Sequence, residues 1–114
     1  MISGAPLTLD VIDGERYARL VIRSTRGKET EAIWDGTYVK SLDRNLQRAS
    51  LRKLEAVHAA EPLNDLRVPP GNRLEQLEGD RKGQHSVRVN DQWRICFKWN
   101  DGAADDVELV DYHT

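Results

Sequence analysis

The sequence predicts an α+β fold, with two N-terminal helices packed on one face of a mostly antiparallel sheet of four or five strands. Three observations predict it. Residues 73–97 and 105–114 alternate polar with apolar side chains around glycine-punctuated turns, the pattern of antiparallel strands joined by tight loops. Residues 41–60 instead repeat apolar side chains at helical spacing. The helical pattern precedes the long run of strands, an order that segregates helices to one face of a sheet.

Residues 1–20 read as an N-terminal extension, and residues 21–114 as the domain proper. Within the first stretch, residues 8–12 and 15–22 flank Asp13-Gly14, a pair that supplies the positive backbone angles of a two-residue hairpin turn. This stretch is expected either to add a hairpin at the sheet edge or to stay undocked. Residues 21–24 form a short strand. A helix over 28–34 follows, packing Ile33 and Trp34 inward and stopping at Gly36. Ser41 or Asp43 caps the second helix, whose stripe of Leu42, Leu46, Ala49, Leu54 and Val57 faces the core. His58, at the edge of that stripe, is expected on the surface.

Pro62, Pro69 and Pro70 forbid continued helix, so residues 61–72 form a loop with one turn near 63–66. Strands are expected over 73–77, 84–89, 93–99 and 106–112. Residues 78–83 form a charged turn, and Asn90-Asp91 a hairpin loop. Cys96, between Ile95 and Phe97, falls on the face opposite theirs and reads as a packed thiol. As the single cysteine it leaves no internal disulfide, which suits a reducing compartment.

At 114 residues the chain is long enough for one core without covalent staples. No apolar run approaches the length of a membrane span, and the first residues lack the basic-then-apolar pattern of a secretory signal. A cytoplasmic protein is the expectation. The formal charge of −2 is unevenly placed: residues 21–53 carry eight Lys/Arg against four Asp/Glu, residues 54–114 seven against twelve. A nucleic-acid partner would be steered to the basic helical part, although mixed-sign helices are also common as plain solvated faces.

The strand pattern brings Arg81, Lys82, Arg88 and Arg94 from one turn and two neighbouring strands towards the chain end, where Asp111, Tyr112 and His113 arrive. Cations beside a tyrosine and a histidine suit phosphate chemistry. These residues also carry a resemblance. Leu77-Glu-Gly-Asp-Arg-Lys-Gly-Gln-His-Ser-Val-Arg-Val, Gln92-Trp-Arg-Ile-Cys-Phe and Asp106-Val-Glu-Leu-Val-Asp-Tyr-His, with the opening Val21-Ile-Arg-Ser, resemble the HigB branch of the RelE-like toxins.

The resemblance implies a RelE-like fold and a toxin of a type II toxin-antitoxin system. Such a toxin is a ribosome-dependent endoribonuclease that cuts mRNA and is silenced by a HigA-like helix-turn-helix antitoxin. The implied chemistry needs neither metal nor cofactor: a base deprotonates the ribose 2′-OH, that oxygen attacks the adjacent phosphorus, cations stabilise the phosphorane, and an acid protonates the departing 5′ oxygen. Carried over by position, Asp111, Tyr112 and His113 match the terminal Asp-Tyr-His, and Arg81 and Arg94 the turn and strand arginines.

The roles follow from side-chain chemistry. His113 is the proton-transfer candidate. Arg94 and Arg81 hold the phosphate through a planar fork of donors, with Lys82 and Arg88 as further RNA-binding cations. Tyr112 stacks on a base or positions the histidine. Family members often carry Leu-His-Pro-Leu where this chain has Leu74-Glu75-Gln76-Leu77, which makes Glu75 the candidate general base. The alternative is a non-catalytic toxin-like module that binds a HigA-type antitoxin and co-regulates its operon.

Overall fold

The computed structural model describes residues 22–112. The hairpin expected over 8–22 falls, Ile22 apart, outside them, as does His113. Two helices, α1 (Lys28–Trp34) and α2 (Arg44–Ala59), precede a four-stranded antiparallel sheet, β1 (Glu75–Gln76), β2 (Gln84–Arg88), β3 (Trp93–Asn100) and β4 (Ala103–Asp111), in that spatial order. Residues 22–25 run beside β4 as a parallel ribbon through bridges at Ile22–Ala104 and Thr25–Val107. The Arg23 N–H donates to the Ala104 carbonyl at 2.8 Å, and its guanidinium grips both Asp105 oxygens at 2.9 and 2.7 Å. The expected strand at 21–24 is thus an interrupted ribbon on the sheet edge.

Both helix boundaries have local causes. After α1, Gly36 takes φ 85 and its N–H reaches the Ile33 carbonyl, while the Thr37 N–H reaches Ala32. That closes the last turn in the way a glycine in the left-handed region permits. Asp43 caps α2 by accepting from the Leu46 N–H at 3.1 Å. Gln47, buried, accepts from the Val39 N–H and donates to the Val39 and Leu42 carbonyls, so one side chain fastens the α1–α2 connection. The buried stripe of α2 is Leu46, Ser50, Leu54 and Val57; Ala49, expected in it, is only half-buried.

Leu54 and Val57 meet Val87, Ile95, Phe97 and Val107 from the sheet to form the core. Strand alternation then sends Arg94 and Cys96 to the opposite face, where both are buried.

The sheet departs from its sequence expectation at two places. Residues 73–77 contribute only Glu75–Gln76, because Arg73 sits at φ 45 and cannot extend the strand. The last strand begins at Ala103 rather than 106. Asp101-Gly102, at φ 53 and 78, makes the two-residue turn that reverses the chain after β3. Asp106, at φ 52, lies where the β3–β4 register shifts between Cys96 and Lys98. In the proline-rich connection Asn72 is buried and donates to the Leu66 and Val68 carbonyls while accepting from Lys53 Nζ, so one amide organises the loop.

His58 is half-buried rather than fully on the surface. Its Nδ1 accepts from the Ile22 N–H at 3.4 Å, and its ring lies 5.2 Å from that of Trp34. Burial lowers its pKa below the ordinary 6.5. Because the folded state disfavours the charged imidazole, this contribution to stability is complete above the unfolded-state pKa and is lost as pH falls below it. The melting temperature should therefore drop between pH 7.5 and pH 5.5. His58→Gln, which keeps an acceptor but does not titrate, should show a smaller drop. Equal drops in the two proteins would remove His58 as a source of the dependence.

Candidate active site

The site is built on the sheet face turned away from the helices. Arg88 and Arg94 are direct cross-strand partners in the β2–β3 ladder. Two cations so placed repel unless an anion lies between or beside them. They line a cleft of about 460 Å³ together with Arg73, Glu75, Asn90, Asp91 and Tyr112.

Arg94 is the fixed member, with 9% of its surface exposed. Its Nε donates to Ser86 Oγ at 2.7 Å, and its Nη2 to the Arg73 carbonyl at 2.5 Å and the Ser86 carbonyl at 3.4 Å. The Glu75 carboxylate stands 3.8 Å from Nη2. Ser86 thus orients the planar fork from the neighbouring strand, and the left-handed turn at Arg73 brings a carbonyl against its other side. Arg88 pairs with Asp91 across the hairpin loop, and Asn90 Oδ1 holds that loop by accepting from the Gln92 and Trp93 N–H groups.

Tyr112 follows directly after β4. Its backbone N–H donates to the Gln92 carbonyl at 2.6 Å, and its hydroxyl lies 3.6 Å from Cys96 Sγ. Burial, and then the thiol beside it, push the phenol up to about 12, so it remains a neutral hydrogen-bond donor at physiological pH. Burial also raises the Cys96 thiol, which keeps it protonated and unreactive.

The structure divides the set of residues picked out from the sequence. Arg88, Arg94, Glu75 and Tyr112 share the cleft. Arg81 lies on the same face but is engaged elsewhere, with both terminal nitrogens 3.3 Å from Glu108 Oε1 and one donating to Gln84. Lys82 is exposed on the adjoining turn, outside the cleft. Asp111 lies on the other side of its strand, beside a hollow lined by Glu29, Leu42 and Trp93, where it accepts from Gln92 Nε2 at 3.1 Å. One-residue alternation separates it from Tyr112. Ser86, Arg73, Asn90 and Asp91 were not anticipated. The Arg88–Arg94 register could have pointed to Ser86, which sits two residues before Arg88 on the same face; nothing local marks Arg73.

Residues 31–113 match the family described as HigB-like toxin, the RelE-like toxin of type II toxin-antitoxin systems. The chain is 53% identical to Toxin HigB-1 of Vibrio cholerae over 60 residues, which are 53% of this chain and 63% of that one, so the match spans under two thirds of that relative. It is 30% identical to Endoribonuclease HigB of Proteus vulgaris over 83 residues, 73% of this chain and 84% of that one. In fold it is similar to a chain of the YoeB-YefM complex from Staphylococcus aureus, with a TM-score of 0.54 at 15% identity over 82% of this chain and 98% of that one. Two helices on a four-stranded antiparallel sheet, the cationic cleft on its open face and the family match across most of the domain place this chain among the HigB-like toxins of type II toxin-antitoxin systems.

Proposed function

We propose that this chain is a ribosome-dependent mRNA endoribonuclease, held inactive in the cytoplasm by a HigA-like helix-turn-helix antitoxin. The observation that carries the reading is the Arg88–Arg94 pair: two opposed cations, one locked by Ser86 and the Arg73 carbonyl, in an open cleft beside Tyr112. Such a seat matches the non-bridging oxygens of one phosphodiester and stabilises the extra negative charge of its phosphorane. The name of the Proteus relative, Endoribonuclease HigB, supports the same activity.

In this reading Glu75, beside the cation that holds the phosphate, takes the 2′-OH proton. The 2′ oxygen then bonds to phosphorus as the P–O5′ bond breaks, and His113, next in the chain after Tyr112, protonates the leaving 5′ oxygen. The products are a 2′,3′-cyclic phosphate and a 5′-OH end. Tyr112 offers a ring face to a base and a neutral hydroxyl to the phosphate. Arg81 and Lys82 contact RNA at the margin of the cleft, and Asp111, on the other side of its strand, takes no part in proton transfer.

Expression without antitoxin should arrest growth and create new mRNA 5′ ends inside translated frames. His113→Ala should lose both, since a general acid contributes about 10²–10⁴-fold in rate. Unchanged ends in that variant would take His113 out of the mechanism. The Glu75–Arg94 ion pair favours a second reading, a module that binds antitoxin without cleaving RNA, because a carboxylate there competes with phosphate for the same cation. Tight antitoxin binding without new 5′ ends, together with gain of toxicity in Glu75→His, would favour it.

A further inference from the structure

The chemistry of the cleft gives Gln92 no role, yet several hydrogen bonds meet on it. Gln92 is exposed and stands in the β2–β3 hairpin loop, one residue before β3 begins. Asn90 fixes its backbone: Asn90 Oδ1 accepts from the Gln92 N–H and from the Trp93 N–H, both at 2.8 Å. The Gln92 carbonyl accepts from the Tyr112 N–H at 2.6 Å, and Gln92 Nε2 donates to Asp111 Oδ1 at 3.1 Å. The last residue of β4 and the one after it are thus both held by one residue of the loop. The same loop carries Asp91, the ion-pair partner of Arg88.

We propose that Gln92 is a positioning residue for the cleft: its backbone and side chain together hold the end of β4 so that Tyr112, and through the chain His113, is presented to Arg88 and Arg94. The inference rests on the endoribonuclease reading and deepens it. Strand ends and chain termini open first unless they are tied down, and Tyr112 lies one residue beyond β4. A single backbone bond leaves such a segment free to roll about the strand axis. Asp111 and Tyr112 point to opposite sides of the strand, so a second bond, made to Asp111, opposes that roll and sets how the Tyr112 ring leans into the cleft. Asp111 thereby gains a use that its place outside the cleft does not suggest, as the anchor of its neighbour. Because Asn90 and Asp91 tie the same loop to Arg88, the loop also sets the spacing between the phosphate seat and the chain end.

The test compares the full chain with Gln92→Glu, which sets a second carboxylate against Asp111, and with Gln92→Lys, which keeps a donor there. Amide hydrogen exchange at the Tyr112 N–H reads the hold directly, and single-turnover mRNA cleavage on programmed ribosomes reads its consequence. Thermal melts confirm that all three proteins fold. In Gln92→Glu the Tyr112 amide should exchange roughly 2- to 10-fold faster, the range that one net hydrogen bond spans. Its cleavage rate should fall by up to about 10²-fold, the scale of a misplacement of roughly 1 Å, with half-saturation by substrate unchanged. Gln92→Lys should stay close to wild type in both measurements. Wild-type exchange and rate in the glutamate variant overturn the inference, as do equal losses in the two variants, which would make the donor irrelevant. Faster exchange with an undiminished rate overturns it as well. A wild-type chain that cleaves no RNA overturns the reading beneath the inference instead, and the exchange comparison then still decides whether Gln92 holds Tyr112.

Discussion

Arg94→Lys is expected to slow RNA cleavage by roughly 10²–10³-fold, the scale on which removing one preorganised donor to a developing oxyanion acts. The substitution keeps a positive charge and most of the side-chain length, so a purely electrostatic role would survive it. The native side chain, however, is a fork whose position is set from two directions: Ser86 Oγ accepts from Nε, and the Arg73 carbonyl from Nη2. A lysine ammonium carries its three donors on one atom, so it cannot reach the Ser86 and Arg73 acceptors from separate nitrogens and still present a planar pair of donors to a phosphate. Single-turnover cleavage on programmed ribosomes, with a thermal melt to confirm folding, measures the loss. Wild-type rates in the lysine variant would show that the fork is unnecessary.

The largest effect on stability is expected at Phe97, whose replacement by alanine should cost about 3–5 kcal/mol. Phe97 is fully buried, lies 6.3 Å from Trp99 in an edge-on contact and 6.2 Å from His85, and belongs to the cluster that joins the sheet to α2. Domains are stable by only about 5–15 kcal/mol, so this one cavity removes a large share of the total. Denaturant titration should show a much lower midpoint. Val68→Ala, at a side chain 74% exposed, should change stability by less than about 0.5 kcal/mol. Similar losses at both positions would contradict the placement of the core.

Much of the architecture was legible because it depends on local chemistry. Gly36 and Asp43 mark a helix end and a helix start through bonds within a few residues, and the alternation around Ile95 foretells which side chains face α2. The start of β4 is also written locally, in the Asp101-Gly102 turn, a pair that an expected start at 106 leaves out. The α2 stripe was partly misread because Gln47 and Ser50 are buried polar residues, and apolar periodicity does not find them.

The candidate site was legible in its types and not in its grouping. Of the residues the strand pattern brought together, Arg88, Arg94 and Tyr112 line one cleft while Arg81, Lys82 and Asp111 lie outside it, and Glu75, singled out by the resemblance, joins the three. Asp111 could have been separated from Tyr112 by the two-residue period alone, since neighbours in a strand face opposite ways. Arg73 was beyond reach for another reason: its left-handed backbone depends on a proline-rich loop organised by Asn72, whose partners Leu66, Val68 and Lys53 are spread along the chain. His58 was likewise misjudged because its partners, Trp34 and the Ile22 N–H, come from distant segments.

The claim that Arg88 and Arg94 hold one phosphate together is tested most directly by a double-mutant cycle on single-turnover mRNA cleavage, with wild type, Arg88→Gln, Arg94→Lys and the double variant. Groups that act on one phosphate as a unit are strongly non-additive. The account predicts that each single change slows cleavage and that the double variant is little slower than the worse single one. Independent, multiplicative losses, or no loss from Arg88→Gln, would contradict it.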